Sequence, residues 1–149
     1  MITSFFGERM QAEGWIGVDL DGTLAEFHGW ISVEHIGKPV PEMLERVRSW
    51  IDQGVDVRIF TARVDIGAVA LSLGNESGEL HIHVEKIRNI IQNWTEKHLG
   101  IRLPVTNVKD FRMLELWDDR AVRVVLNKGC PCCEHQKHTT AVDSLNTPR

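Results

Sequence analysis

Apolar and polar positions along the chain alternate between two periods, and the changes of period mark out the elements. Trp15-Ile16-Gly17-Val18 is an apolar run that leads straight to Asp19 and predicts a first strand. Residues 24–38 carry turn chemistry, His28-Gly29 and Gly37-Lys38. Val40, Leu44, Val47 and Ile51 then step by four, three and four, which places them on one face of a helix over residues 42–53. Pro41 stands where that helix begins and Gly54 where it stops. A β-branched and aromatic run over residues 55–61 predicts a second strand with Thr61 at its end. Residues 63–80 are rich in Gly, Ala and Ser, with Gly67, Gly74 and Gly78 as breaks, and predict a mobile loop with one helical turn at most. A second amphipathic helix follows over residues 84–99, with Ile87, Ile90, Ile91 and Trp94 facing inward and Gly100 as its cap. Residues 104–108 predict a short strand, residues 113–117 a convincing apolar one ending at Asp118-Asp119, and residues 122–126 a last strand at an edge. From Gly129 onward the periodicity is lost.

Strands that alternate with helices imply parallel pairing through crossovers. The expected class is α/β, a three-layer Rossmann-like parallel sheet with helices on both faces. The 149-residue length suits one domain, taken as residues 1–128, with a Cys- and His-containing tail over 129–149. Hydrophobic residues at 42% and charged residues at 26% are ordinary for a soluble protein, and no apolar run approaches membrane-spanning length, so no membrane partner is expected. The first residues lack a basic region followed by a long apolar segment, which points to a cytoplasmic location. The net charge is −4, unevenly spread: the first 74 residues hold 6 basic and 11 acidic side chains, the remainder 11 and 10. That excess is too small for nonspecific nucleic-acid binding. Oligomeric state is left open.

In open α/β sheets ligands sit outside the carboxyl ends of the strands. Those ends here carry Asp19 and Asp21, Thr61, and Asp118 and Asp119, with Lys109 in the connection before the last pair. On extended backbone, residues i and i+2 point the same way about 6 to 7 Å apart, which would leave room for a phosphoryl group between Asp19 and Asp21. A carboxylate is an established nucleophile toward phosphorus, and a second one can protonate the leaving oxygen and then deprotonate water. Two carboxylates facing a phosphate dianion require added positive charge, and Mg²⁺ favours carboxylate, phosphate and water oxygens. Asp118 would be a further ligand, while the Thr61 hydroxyl and the Lys109 ammonium would hold nonbridging oxygens.

The chain resembles the haloacid dehalogenase (HAD) superfamily of phosphohydrolases. Its first motif, DxDGT, corresponds to Asp19-Leu20-Asp21-Gly22-Thr23; the second, an apolar strand ending in Thr or Ser, to Ile59-Phe60-Thr61. Lys109 matches the third, and Trp117-Asp118-Asp119 the fourth, an acid pair at a strand end, so the likeness runs over about residues 15–126. The resemblance implies an aspartyl-phosphate mechanism with Asp19 as nucleophile, Asp21 as general acid/base, and Thr61 and Lys109 on the phosphate. Mg²⁺ would be held by Asp19, the backbone carbonyl of Asp21, and Asp118, with Asp119 supporting the metal through water or orienting Lys109. The Thr-Ala-Arg and Asp-Asp-Arg endings look like those of polynucleotide 3'-phosphatases and deoxynucleotidases, which makes Arg63 and Arg120 candidate substrate contacts. The expected partner is therefore a phosphorylated small molecule or a nucleic-acid end. Short spacings after both early motifs suggest a capless member with an open site.

Other readings compete. A receiver-like phosphoacceptor domain also uses acids, a Thr and a Lys around Mg²⁺, but places its acceptor Asp on a later strand. A non-catalytic Mg²⁺-binding or scaffold domain is the other alternative, which the full set of four motifs opposes. His28 is a loop histidine near the first motif, and His81 and His83 lack supporting ligands. Cys130, Cys133, His135 and His138 form a set that Zn²⁺ would accept, although one residue separates its two pairs where a zinc finger has a long segment. An odd count of three clustered cysteines argues against a disulfide framework.

Overall fold

The computed structural model describes residues 14–73 and 79–132. Four parallel strands, β1 (Trp15–Asp19), β2 (Asp56–Phe60), β3 (Val105–Thr106) and β4 (Met113–Trp117), form one sheet in the order β3-β2-β1-β4. Helix α1 (Pro41–Asp52) links β1 to β2, and α2 (Ile66–Leu73) and α3 (Leu80–Leu99) lie between β2 and β3. The class is α/β with a parallel sheet, as the alternation of elements predicts. The chain steps outward from β1 to β2 to β3 and then returns to the other side of β1 for β4. The order therefore reverses between β1 and β4, whose carboxyl ends flank this switch point, where ligands of open α/β sheets bind.

The register sets which side chains share a face. Ile16 pairs with Val57, and Val18 with Ile59, which in turn pairs with Val105. These residues join one buried cluster with Met43 and Val47 of α1, Val69 of α2, and Val84, Ile87, Ile91 and Trp94 of α3. All three helices thus contribute to the core on the same face of the sheet. The opposite face is closed differently. Trp15 is 1% exposed, its ring lies under the Arg58 guanidinium at 4.7 Å, and its Nε1–H donates to Asp110 Oδ1 at 2.8 Å. Gly17 leaves the space that ring needs, since a Cβ there would come 3.1 Å from Trp15 Cζ3. Helices on both faces were expected, but among the described residues the β3–β4 connection holds no helix and a tryptophan does the covering. No helix of the described residues is long and apolar enough to cross a membrane.

Local signals account for the helix ends. Pro41 opens α1, where its missing N–H costs nothing. Gly54, at φ 77°, closes it: its N–H donates to Ile51 O and that of Val55 to Trp50 O, satisfying two terminal carbonyls. Gly100, at φ 76°, ends α3 in the same left-handed conformation. The first part of the stretch read as a mobile loop is helical, with a 3₁₀ turn over Ala62–Val64 followed by α2. Asp65 supplies the cap, its Oδ1 accepting from the Ala68 N–H at 2.8 Å. Helix α3 also starts four residues before the expected position, so His81 and His83 are helical, with His83 beside Glu79 at 3.8 Å. Gly74 and Gly78 lie outside the described residues.

The chain divides into two compact units, Met1–Asp119 and Arg120–Arg149. The strand expected over residues 122–126 does not join the sheet. In the second unit the chain instead turns back on itself: Val125 N–H donates to Cys130 O, Cys132 N–H to Arg123 O, and Val124 bridges Pro131. Asn127 and Gly129 adopt positive φ to make the turn. Cys130 and Cys132 are exposed free thiols; Cys133, His135 and His138 lie outside the described residues.

Candidate functional site

The strand ends at Asp19 because the backbone turns at Leu20. Leu20, Leu24 and Ala25 are fully buried, and they pull the turn against the core. Its backbone groups bond within the turn itself: Leu24 N–H donates to Asp19 O, Ala25 N–H to Leu20 O, and Gly22 N–H to Ala25 O. Gly22 has φ 91°, and a Cβ there would sit 2.9 Å from Asp119 Oδ2. Only glycine allows both the left-handed backbone and this approach to the end of β4.

Across the β1/β4 switch point, carboxylate oxygens of Asp19, Asp118 and Asp119 all lie within 4.8 Å of one another. Thr23 ties the group together. Its hydroxyl lies 3.4 Å from Asp19 Oδ2 and 3.4 Å from Asp119 Oδ1, and it accepts the Asp119 backbone N–H at 3.1 Å. Burial raises the proton affinity of Asp19, and the negative charges of Asp118 and Asp119 raise it further, so its pKa is pushed up to about 7. Three hard oxygen donors in mutual repulsion form a set suited to a divalent cation.

Asp21 does not belong to this cluster. The alternation that would point Asp19 and Asp21 the same way holds for extended backbone, and here the chain leaves that conformation after Asp19. Asp21 instead meets Arg63 in a two-pronged ion pair, Nε to Oδ2 at 2.6 Å and Nη2 to Oδ1 at 2.7 Å. Arg63 is almost wholly buried and donates further to the carbonyls of Val33 (3.1 Å) and His35 (2.8 Å), while its guanidinium lies 4.9 Å from the Trp30 ring centroid. One arginine thus pins the loop over residues 30–35 to the turn after β1. The sequence marks Arg63 as a substrate contact; the pairing with Asp21 has no signature in spacing, because the partners are 42 residues apart.

Thr61 is 2% exposed at the end of β2, and its hydroxyl oxygen accepts the Arg63 N–H at 3.2 Å, capping the 3₁₀ turn. Lys109 stands exposed in the β3–β4 connection and forms no ion pair among the described residues. Arg120 begins the second unit. The structure therefore gathers Asp19, Asp118 and Asp119 into one cluster and Asp21 with Arg63 into another, and it leaves Lys109 outside both. Thr23, which bonds to both Asp19 and Asp119, goes beyond the residues that sequence reasoning singles out; its signal is its place in the DxDGT turn.

No family model matches this chain, and no curated protein or solved structure matches it either.

Proposed function

We propose that the protein is a Mg²⁺-dependent phosphomonoester hydrolase that works through an aspartyl-phosphate on Asp19, and that its sheet is a Rossmann-like one of the HAD type. One observation carries the reading: a cluster of three carboxylates at the point where the strand order reverses, with the partly buried Asp19 among them. The order of the motifs along the chain supports it. The donor set fits Mg²⁺, since all of its side chains are carboxylates. Asp19, Asp118 and Asp119 would hold the ion, together with the backbone carbonyl of Asp21. Bound there, it supplies the positive charge that lets carboxylates and an anionic phosphate share one site.

In the first step an Asp19 carboxylate oxygen forms a bond to phosphorus while the bond to the leaving oxygen breaks, and Asp21 gives that oxygen its proton. In the second, Asp21 takes a proton from water, the water oxygen bonds to phosphorus, and the bond to Asp19 breaks to release phosphate. Arg63 orients Asp21 for this work, and its hold must slacken on one oxygen each time that oxygen carries a proton. Thr61 and Lys109 are the proposed phosphate contacts.

The test is release of inorganic phosphate from an aryl phosphate with and without Mg²⁺, using Asp19→Asn as the control. Metal-dependent release by the wild type and none by the variant is expected. Full activity in Asp19→Asn, or no release from any phosphate monoester, overturns the reading. Nucleotides, sugar phosphates and 3'-phosphorylated oligonucleotides assayed in parallel define the substrate.

A further inference from the structure

The Asp21–Arg63 pair has a second side. Between it and the loop over residues 26–38 lies a pocket of about 300 Å³, lined by Asp21 and Arg63 and, around them, by Phe27, Trp30, His35 and Lys38. Trp30 is 58% exposed and Phe27 38%. Ile31, 69% exposed, lines the same pocket, and apolar side chains grouped on the surface in this way mark binding sites. Trp30 is also held in place. The Arg63 guanidinium backs its ring at 4.9 Å, and that guanidinium is itself fixed by four hydrogen bonds to Asp21, Val33 and His35. A ring supported in this way and still exposed is a stacking platform, which accepts any planar π-face. The volume is at the small end for ligand pockets and suits one ring system with its sugar. Lys38 adds a cationic rim; of the acids in the lining, Asp21 is neutralised by Arg63, and Glu26 lies 3.7 Å from His28.

We infer that this pocket takes the planar aromatic part of the substrate, the base of a nucleotide, stacked on Trp30. The inference rests on the proposed hydrolase only for its placement: Asp21 belongs both to the pocket wall and to the turn that carries Asp19. Stacking itself needs neither metal nor chemistry.

The test is isothermal titration calorimetry of the full chain without divalent cations, against adenosine 5'-monophosphate, ribose 5-phosphate and a 3'-phosphorylated dinucleotide. The nucleotide is expected to bind at least about tenfold more tightly than ribose 5-phosphate, an advantage lost in Trp30→Ala and largely kept in Trp30→Phe. Tighter binding of the dinucleotide than of the mononucleotide identifies a nucleic-acid end as the source of the base; the reverse identifies a free nucleotide. Equal binding of nucleotide and ribose 5-phosphate, or an advantage that survives in a folded Trp30→Ala, overturns the pocket. Base-dependent binding in a protein that releases no phosphate overturns only the hydrolase reading, while phosphate release with no dependence on Trp30 overturns only the pocket.

Discussion

Arg63 grips Asp21 through both carboxylate oxygens, at 2.6 and 2.7 Å, from 42 residues further along the chain. The guanidinium side chain is 6% exposed and the carboxylate 20%, so water cannot replace either partner well. Arg63→Ala is expected to destabilise the fold by about 3 kcal/mol, the lower end of the range for breaking a buried ion pair. Combining it with Asp21→Asn should restore part of that loss, because the carboxylate then has no charge to leave unpaired. Urea unfolding of the four-protein cycle measures the coupling, and strictly additive losses would refute it.

Asp19 predicts a pH dependence of stability. Its folded pKa, about 7, lies above the ordinary 3.8, so between those values the folded state holds a proton that the unfolded state has released. Metal-free stability therefore falls as pH rises from about 4 to 7 and levels off above that. Asp19→Asn should flatten this slope. A divalent cation should raise the melting temperature most above pH 7, where Asp19 is ionised, and little at pH 5. Thermal melts at both pH values, with and without Mg²⁺, check it.

Gly22→Ala tests the contact between the turn and the end of β4. The new methyl meets both a left-handed backbone and Asp119 Oδ2 at 2.9 Å, and a loss of about 1 to 3 kcal/mol is expected. Gly29→Ala is the comparison, since Gly29 also has positive φ but nothing stands within 4 Å of its missing Cβ. Weaker cation binding should accompany only the Gly22 substitution, as read by calorimetry.

Trp15 covers a sheet face that has no helix among the described residues. Trp15→Ala should therefore cost as much as a core truncation, about 3–5 kcal/mol. It should also lessen the depression of the Asp110 pKa, which comes first from the hydrogen bond donated by the Trp15 indole, while the Arg112 and Met113 backbone N–H groups and the Arg58 charge continue to hold it down. Chemical denaturation and carboxylate NMR titration provide the two readouts.

Legibility followed the range of the interaction. The ends of α1 and α3 could be read because Pro41, Gly54 and Gly100 act on their own backbone. Gly67 reads as a break in the sequence, whereas in the structure it lies in the first turn of a helix that Asp65 caps. The strand expected at residues 122–126 failed for a different reason. Its β-branched run describes a chain that wants a partner, and Asn127-Lys128-Gly129 turns it back so that Val125 pairs with Cys130 within its own unit. In the site, Asp19, Asp118 and Asp119 were legible together because each ends a parallel strand. The Asp21–Arg63 pair was not, since it depends on where the backbone stops being extended.

The contact between Thr23 and Asp119 spans 96 residues, and the cluster it secures draws on the first and last strands of the sheet. Helices and the β1–β2 pair can form from shorter closures, whereas β4 must be brought back across nearly the whole unit. A chain still emerging from the ribosome thus carries Asp19 without its two acidic neighbours, and electrostatic repulsion among the three sets in only as β4 docks. A divalent cation would act at that late stage, helping the last strand home, so the ion proposed for chemistry would also decide when the protein is finished folding.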